Sequence, residues 1–200
     1  MKEILPTAEE TARFVAEGLT IDTQGRPIHP DLLRVIGAHG IRTGKGAYWY
    51  WGPNKTADPI IIARERNEDR VLTIIRKDNG RRALTGGFLD LHNGRWESPL
   101  AACIREANEE ADVDISNDPF FKIYDGPVVD DRETVHAWPY THAVLFVHPE
   151  FSDTVAGDDA VIDSSEWVPV SELDLDALHG SHGQLITAAL GRYYELRNEQ

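Results

Sequence analysis

Cysteine and methionine are almost missing from these 200 residues, with one of each. Because Cys103 is alone, no internal disulfide forms, a zinc site built on spaced Cys and His pairs is excluded, and redox chemistry is disfavoured. Long apolar runs are missing as well. No stretch approaches the roughly 20 residues of a membrane-spanning helix. The first residues, MKEILPTAEETARF, carry acids where a signal or transit peptide is basic, apolar or Arg-rich, so the expected location is cytoplasmic. Positive charge is scarce: 20 Lys and Arg against 34 Asp and Glu leave a formal charge of −14. Such a surface repels nucleic-acid backbones and anionic membranes. A small anionic substrate remains compatible with it, provided divalent cations stand between carboxylates and phosphate oxygens, an arrangement magnesium favours.

What is present suits one domain, or one domain with an N-terminal extension, since 41% of the residues are hydrophobic. Residues 7–18 have helical spacing, with Thr7 as N-cap and Gly18 as terminator. Residues 22–54 are rich in Gly and Pro apart from Leu32–Ile36 and the aromatic run Tyr48, Trp49, Tyr50, Trp51, and read as an extended arm with a small packed cap. Strands are expected at 59–63, 71–75, 82–85, 120–124, 142–147 and 166–170, and a helix at 184–196. The mixed order predicts an α/β fold with helices on both faces of a sheet, divided into an arm over 1–54 and a domain over 55–200.

The segment from Gly86 to Val113 carries the chemistry. Ser98 as N-cap and Pro99 at the first helical position predict a helix over 99–111. On it Leu100, Ile104, Ala107 and Ala111 form a stripe for burial, Glu106 and Glu110 lie one turn apart on a flank, and Glu109 faces further outward. Glutamates on a helix of an acidic protein are also the ordinary makings of a solvated face. Three carboxylates this close repel one another, however, and a divalent cation relieves that repulsion. Arg105 is spaced to reach Glu109 or to turn back to Glu97, and Gly86 and Gly87 leave room for a backbone carbonyl to face a metal or for a phosphate to approach.

Glu97, seven residues, then Arg105-Glu106 and Glu109-Glu110 on one helix resembles the Nudix box. Two positions depart from the family pattern. The gap from Gly87 to Glu97 is four residues longer, enlarging the loop over 88–96, and the glycine near the end of the box is Asp112, a residue that tolerates the left-handed conformation. Shorter matches lie outside the box: Trp51-Gly52-Pro53-Asn54, Ala57-Asp58-Pro59-Ile60, Val129-Asp130-Asp131-Arg132 leading to Ala137-Trp138, Ala156-Gly157-Asp158-Asp159-Ala160, and Ser181-His182. They resemble the mitochondrial-type ADP-ribose pyrophosphatase group and the ADP-ribose-binding Nudix domain of a melastatin cation channel.

The resemblance implies a Nudix α/β/α sandwich with a mixed central sheet and an irregular N-terminal arm. It implies a pyrophosphohydrolase that takes a small nucleotide, ADP-ribose, to AMP and ribose 5-phosphate with magnesium, or manganese in its place. Glu106, Glu109, Glu110 and a carbonyl at Gly86 or Gly87 match metal positions. Glu109 is alternatively the base, with Arg105 and Glu97 in support. Asp130, Arg132 and His182 match ligand-contact positions, and Asp158 with Asp159 a further acid or base. Two alternatives stay open: another nucleoside diphosphate such as NADH or a sugar nucleotide, and a noncatalytic ADP-ribose sensor. No nucleic-acid or membrane partner is expected, and the oligomeric state is left undetermined.

Overall fold

The computed structural model describes residues 4–92, 95–157, 160–161 and 164–199. The chain packs as two units, Met1–Lys55 with Pro127–Tyr140, and Thr56–Gly126 with Thr141–Gln200.

In the first unit, helix α1 (Ala8–Ala16) starts at the expected cap. Thr7 accepts the Glu10 N–H while the Glu10 carboxylate accepts the Thr7 N–H, satisfying two donors that a helix start leaves open. Its apolar face buries Phe14. A second helix, α2 (Leu32–His39), occupies the Leu32–Ile36 part of the predicted arm and buries Val35. Tyr48 and Trp51 of the aromatic run are buried with Trp138, whereas Trp49 is exposed. Glu133, fully buried, accepts two bonds from Arg34 at 2.6 and 2.9 Å and meets His39 Nε2 at 3.1 Å and His29 Nε2 at 3.8 Å. This group ties α2 to the 127–140 segment within the unit.

The second unit is organised by a mixed sheet with strand order β3-β2-β1-β8-β7, where β1 is Gly52–Glu65, β2 Glu68–Ile75, β3 Arg82–Ala83, β7 Phe120–Pro127 and β8 Ala137–His148. The short strand β4 (Gly87–Phe88) pairs with β1, β5 (Leu91–His92) pairs with β6 (Arg95–Trp96), and β9 (Glu166–Pro169) pairs with β2. Side chains of a strand alternate between faces, and this sheet is apolar on both. Ile61, Ala63, Leu72, Val144 and Phe146 pack with Ala102, Cys103, Ala107 and Ala111 of α3 (Pro99–Ala111). On the other side Ile60, Ile62, Val71, Ala143 and Leu145 pack with Leu185, Ile186, Ala189, Leu190 and Tyr193 of α4 (His182–Asn198). The expected α/β/α layering is what forms. Burial in the α3 layer pushes the Cys103 thiol far up, which leaves it inert. Among the described residues no helix is long and apolar enough to cross a membrane.

The buried face of α3 is turned from the expected stripe. Leu100 and Ile104 pack only partly, whereas Cys103, Glu106 and Glu110 are buried beside Ala107 and Ala111. Small residues let the helix lie close to the sheet along the 103–107–111 line, and that rotation draws the two glutamates inward with it.

Candidate active site

Helix α3 is fixed at both ends by the residues that predicted it. Ser98 Oγ accepts the Ala101 N–H at 3.1 Å, Pro99 opens the first turn, and Asp112 closes the helix at φ 56° in the left-handed region. Within the loop before it, Leu91 pairs opposite Trp96 and His92 opposite Arg95. The Glu97 N–H donates to the Asp90 carbonyl at 2.8 Å, which holds Glu97 just before the first turn of α3.

Arg105 gathers the acids. Its Nη2 and Nε bond Glu97 at 2.9 and 3.2 Å, its Nη1 bonds Glu106 at 2.7 Å and Glu109 at 3.0 Å, and Nη2 also donates to the Phe88 carbonyl at 3.1 Å. Asp90 stands 3.8 Å from Nε. Both alternatives considered for Arg105, toward Glu97 and toward Glu109, are therefore realised by one planar fork. The guanidinium bonds hold the Glu97 carboxyl below the usual range, and the same bonds raise Arg105 itself. Glu106 goes the other way: burial raises its carboxyl despite the Arg105 bond that opposes the shift. The Glu109 side chain is 58% exposed, the most open of the helix acids.

Gly86 and Gly87 are where strand and helix touch. The Gly86 N–H donates to Glu110 Oε2 at 2.7 Å. At Gly86 φ is +148°, and a Cβ there would lie 2.6 Å from the Ala57 carbonyl and 2.7 Å from Asp58 Oδ1. A Cβ on Gly87 would collide with the Glu106 carboxylate. The pair is thus required by close approach, and the contact shown at Gly86 is through its N–H. Glu110, expected on a flank of the helix outside the buried stripe, is instead 6% exposed and anchored to backbone.

Not every predicted site residue joins this group. His182 does lie in the second unit, where its Nδ1 accepts the Leu84 N–H at 2.9 Å. Asp130 and Arg132 belong to the first unit and pair with each other at 2.7 and 2.8 Å, with Arg132 also 5.6 Å over the Tyr48 ring. Burial would raise Asp130, but the Arg132 bonds prevail and its carboxyl is lowered. Asp158 and Asp159 lie outside the described residues. Just before them, the Val155 and Gly157 N–H groups donate to the Ala111 and Glu110 carbonyls at 3.1 and 3.0 Å, and Gly157 leaves no space for a Cβ against the Glu109 carbonyl. Sequence reasoning gave no role to Asp58 or Asp90. An acid between Ala57 and the apolar Ile60–Ala63 run is the signal that marks Asp58 in retrospect.

Among the described residues no three carboxylate, imidazole or thiol groups already surround a common point as metal ligands do. The donor set nevertheless fits a hard divalent cation. Glu106 and Glu110 supply carboxylate oxygens stripped of most of their water, Glu109 supplies an open one, and burial leaves Glu106 favouring any added positive charge.

The model of the NUDIX domain family matches residues 54–189. A relative from Rattus norvegicus, "ADP-ribose pyrophosphatase, mitochondrial", is 32% identical over 202 residues, covering 84% of this chain and 55% of the relative, so the chain spans about half of that protein's length. Two solved structures share the fold. The NUDIX domain of Shewanella oneidensis NrtR complexed with ADP ribose superposes with TM-score 0.59 at 21% identity, over 72% of this chain and 90% of that one. A bifunctional NMN adenylyltransferase/ADP ribose pyrophosphatase from Francisella tularensis, complexed with AMP and Mn ion, gives TM-score 0.56 at 23% identity, over 72% and 43%. With the family model matching residues 54–189, and with Glu97, Glu106 and Glu109 gathered on Arg105 and Glu110 beside them on α3, the chain belongs to the Nudix family.

Proposed function

We propose that the protein is a magnesium-dependent pyrophosphohydrolase that cleaves ADP-ribose to AMP and ribose 5-phosphate. The observation that carries this reading is the complete acid set held by Arg105 and Gly86: Glu97, Glu106 and Glu109 on the guanidinium, Glu110 on the glycine N–H. The substrate is supported by the activity for which the Rattus norvegicus relative is named and by the ADP ribose bound in the NrtR domain, and the AMP and manganese of the Francisella protein agree with the product and the cation class.

Glu106, Glu109 and Glu110 would hold the cation, which supplies neutralisation of the diphosphate charge and a lowered pKa for water. The chain's own contribution is positioning. Arg105 fixes Glu97, Glu106 and Glu109 relative to one another, so little reorganisation accompanies reaction. Glu109, the open carboxylate, would alternatively stay off the cation and accept a proton from the attacking water as one phosphorus–oxygen bond forms and the diphosphate bridge breaks. Glu97, kept ionised by Arg105, holds that arginine in place.

The test is hydrolysis in oxygen-18 water with magnesium, set against NADH, a sugar nucleotide and a dinucleoside polyphosphate. Release of AMP and ribose 5-phosphate, with the highest specificity constant for ADP-ribose, is the expected result. A faster cut of another compound overturns the substrate and keeps the chemistry. Binding of ADP-ribose without turnover overturns the enzyme reading.

A further inference from the structure

Behind the Gly86 turn lies a buried group that the proposed chemistry does not use. Asp58, 8% exposed, sits on β1 beside Ala57 and Ile60, both fully buried. Its Oδ2 accepts a hydrogen bond from the hydroxyl of Thr141 on β8, and its Oδ1 faces His182 Nε2 across 4.0 Å. The same Oδ1 stands where any Cβ on Gly86 would have to go. His182 is held from its other side, because Nδ1 accepts the Leu84 N–H at 2.9 Å. A backbone N–H only donates, so Nδ1 is the acceptor and the neutral ring carries its proton on Nε2, the nitrogen that faces Asp58. Both imidazole nitrogens are therefore turned to the protein, and the side chain is only 13% exposed.

These contacts form one continuous path. His182 holds Leu84, Asp58 backs Gly86, and Gly86 holds Glu110 at 2.7 Å. A buried carboxylate is costly unless it is hydrogen-bonded, and here the bond comes from Thr141, across the sheet. The segment 84–86 is thereby gripped from both sides at the point where its N–H meets the acid helix.

We propose that Asp58, Thr141 and His182 are positioning residues: a buried brace that sets the Leu84–Gly86 segment so that Gly86 presents its N–H to Glu110, with His182 serving inside the fold and not as a contact to substrate. The brace rests on the pyrophosphohydrolase reading only for its kinetic effect.

Three measurements on the full chain test it. With magnesium and ADP-ribose, Asp58→Asn and Thr141→Val are expected to lower kcat about thirtyfold with KM within about threefold, because displacing a fixed group acts on the reaction and not on ground-state binding. Thr141→Ser, which restores the hydroxyl, is expected to stay within about threefold of wild type in kcat. Manganese titration followed by electron paramagnetic resonance is expected to show affinity weakened about tenfold in Asp58→Asn, as for loss of an outer-shell partner. Nitrogen-15 spectra of the metal-free protein are expected to show His182 protonated on Nε2 and unmoved by saturating AMP.

A KM for ADP-ribose raised about tenfold by His182→Asn at unchanged kcat overturns the brace in favour of direct ligand contact. So does an Nδ1-protonated ring, or wild-type kcat and manganese affinity in Asp58→Asn. If Asp58→Asn does not fold, the Thr141→Val and Thr141→Ser pair decides. If wild type fails to cut ADP-ribose, the substrate reading falls by itself, and the manganese and nitrogen-15 results still judge the brace.

Discussion

Glu106 and Glu133 are both carboxylates removed from water, and both lean on an arginine, yet their surroundings carry opposite balances. Around Glu133 stand Arg34, His39 and His29, with Asp31 a second acid at 3.4 Å from Arg34. Three groups able to donate, one guanidinium and two imidazoles, face two acids there. Around Arg105 stand Glu97, Glu106, Glu109 and Asp90, four carboxylates to one guanidinium. A balanced buried cluster is complete by itself and acts as a brace, whereas a surplus of carboxylates leaves a deficit that a cation relieves. The difference separates structure from chemistry better than burial does, because both glutamates are buried.

Glu110→Gln breaks the comparison hardest on the surplus side. Turnover of ADP-ribose is expected to fall about a thousandfold, read by AMP release. The melting temperature should move little, because glutamine keeps an oxygen to accept the Gly86 N–H. On the balanced side, Glu133→Gln is expected to cost about 3 kcal/mol of stability, read by urea unfolding, with kcat/KM of the folded fraction unchanged. Magnesium at about a hundredfold its Kd should raise the unfolding free energy by about 2.7 kcal/mol. Glu106→Gln is expected to abolish that gain while Glu133→Gln keeps it; equal gains in all three proteins would place the cation elsewhere.

A smaller effect concerns pH. Burial lowers His182 from 6.5 to about 4, with Arg76 acting in the same direction; Asp58 and the His179 ring, 5.4 Å away, also face it. A depressed histidine pKa contributes stability above the unfolded value that is lost as pH falls from 6.5 toward 4. His182→Asn should remove that loss, roughly 2 kcal/mol, and leave the opposite contribution of Asp58, whose carboxyl burial raises to about 6, measured by unfolding at fixed pH steps. The smallest expected change is at Arg132, whose guanidinium is 51% exposed. Arg132→Ala is expected to raise KM for ADP-ribose about tenfold with kcat held, and an unchanged KM would remove it from the substrate contacts.

Much of the second unit could be read in order along the chain. Ser98, Pro99 and Asp112 bound α3 at the residues expected, because caps act within one turn of backbone. The strands ran longer than their apolar centres: β8 extends over Ala137–His148, beyond the apolar run 143–147, because pairing with neighbouring strands continues through polar residues such as Thr141. The turn of Glu106 and Glu110 toward the sheet was not legible. Helical periodicity ranks residues by hydrophobicity, and a glutamate enters a buried face only when small neighbours bring the helix close and a partner such as the Gly86 N–H awaits it.

The sequence by itself determined the acid helix, its caps and the spacing that puts Glu97, Arg105, Glu106, Glu109 and Glu110 within reach of one another, since these depend on contacts a few residues apart. Tertiary structure alone decided that Pro127–Tyr140 joins the N-terminal unit, that Leu91 and His92 pair with Trp96 and Arg95, and that Asp58, Thr141 and His182 meet behind Gly86. Those partners lie 83 and 98 positions apart in the chain for the Thr141–Asp58 and His182–Leu84 bonds, and no local pattern encodes a meeting made by strand pairing and helix packing.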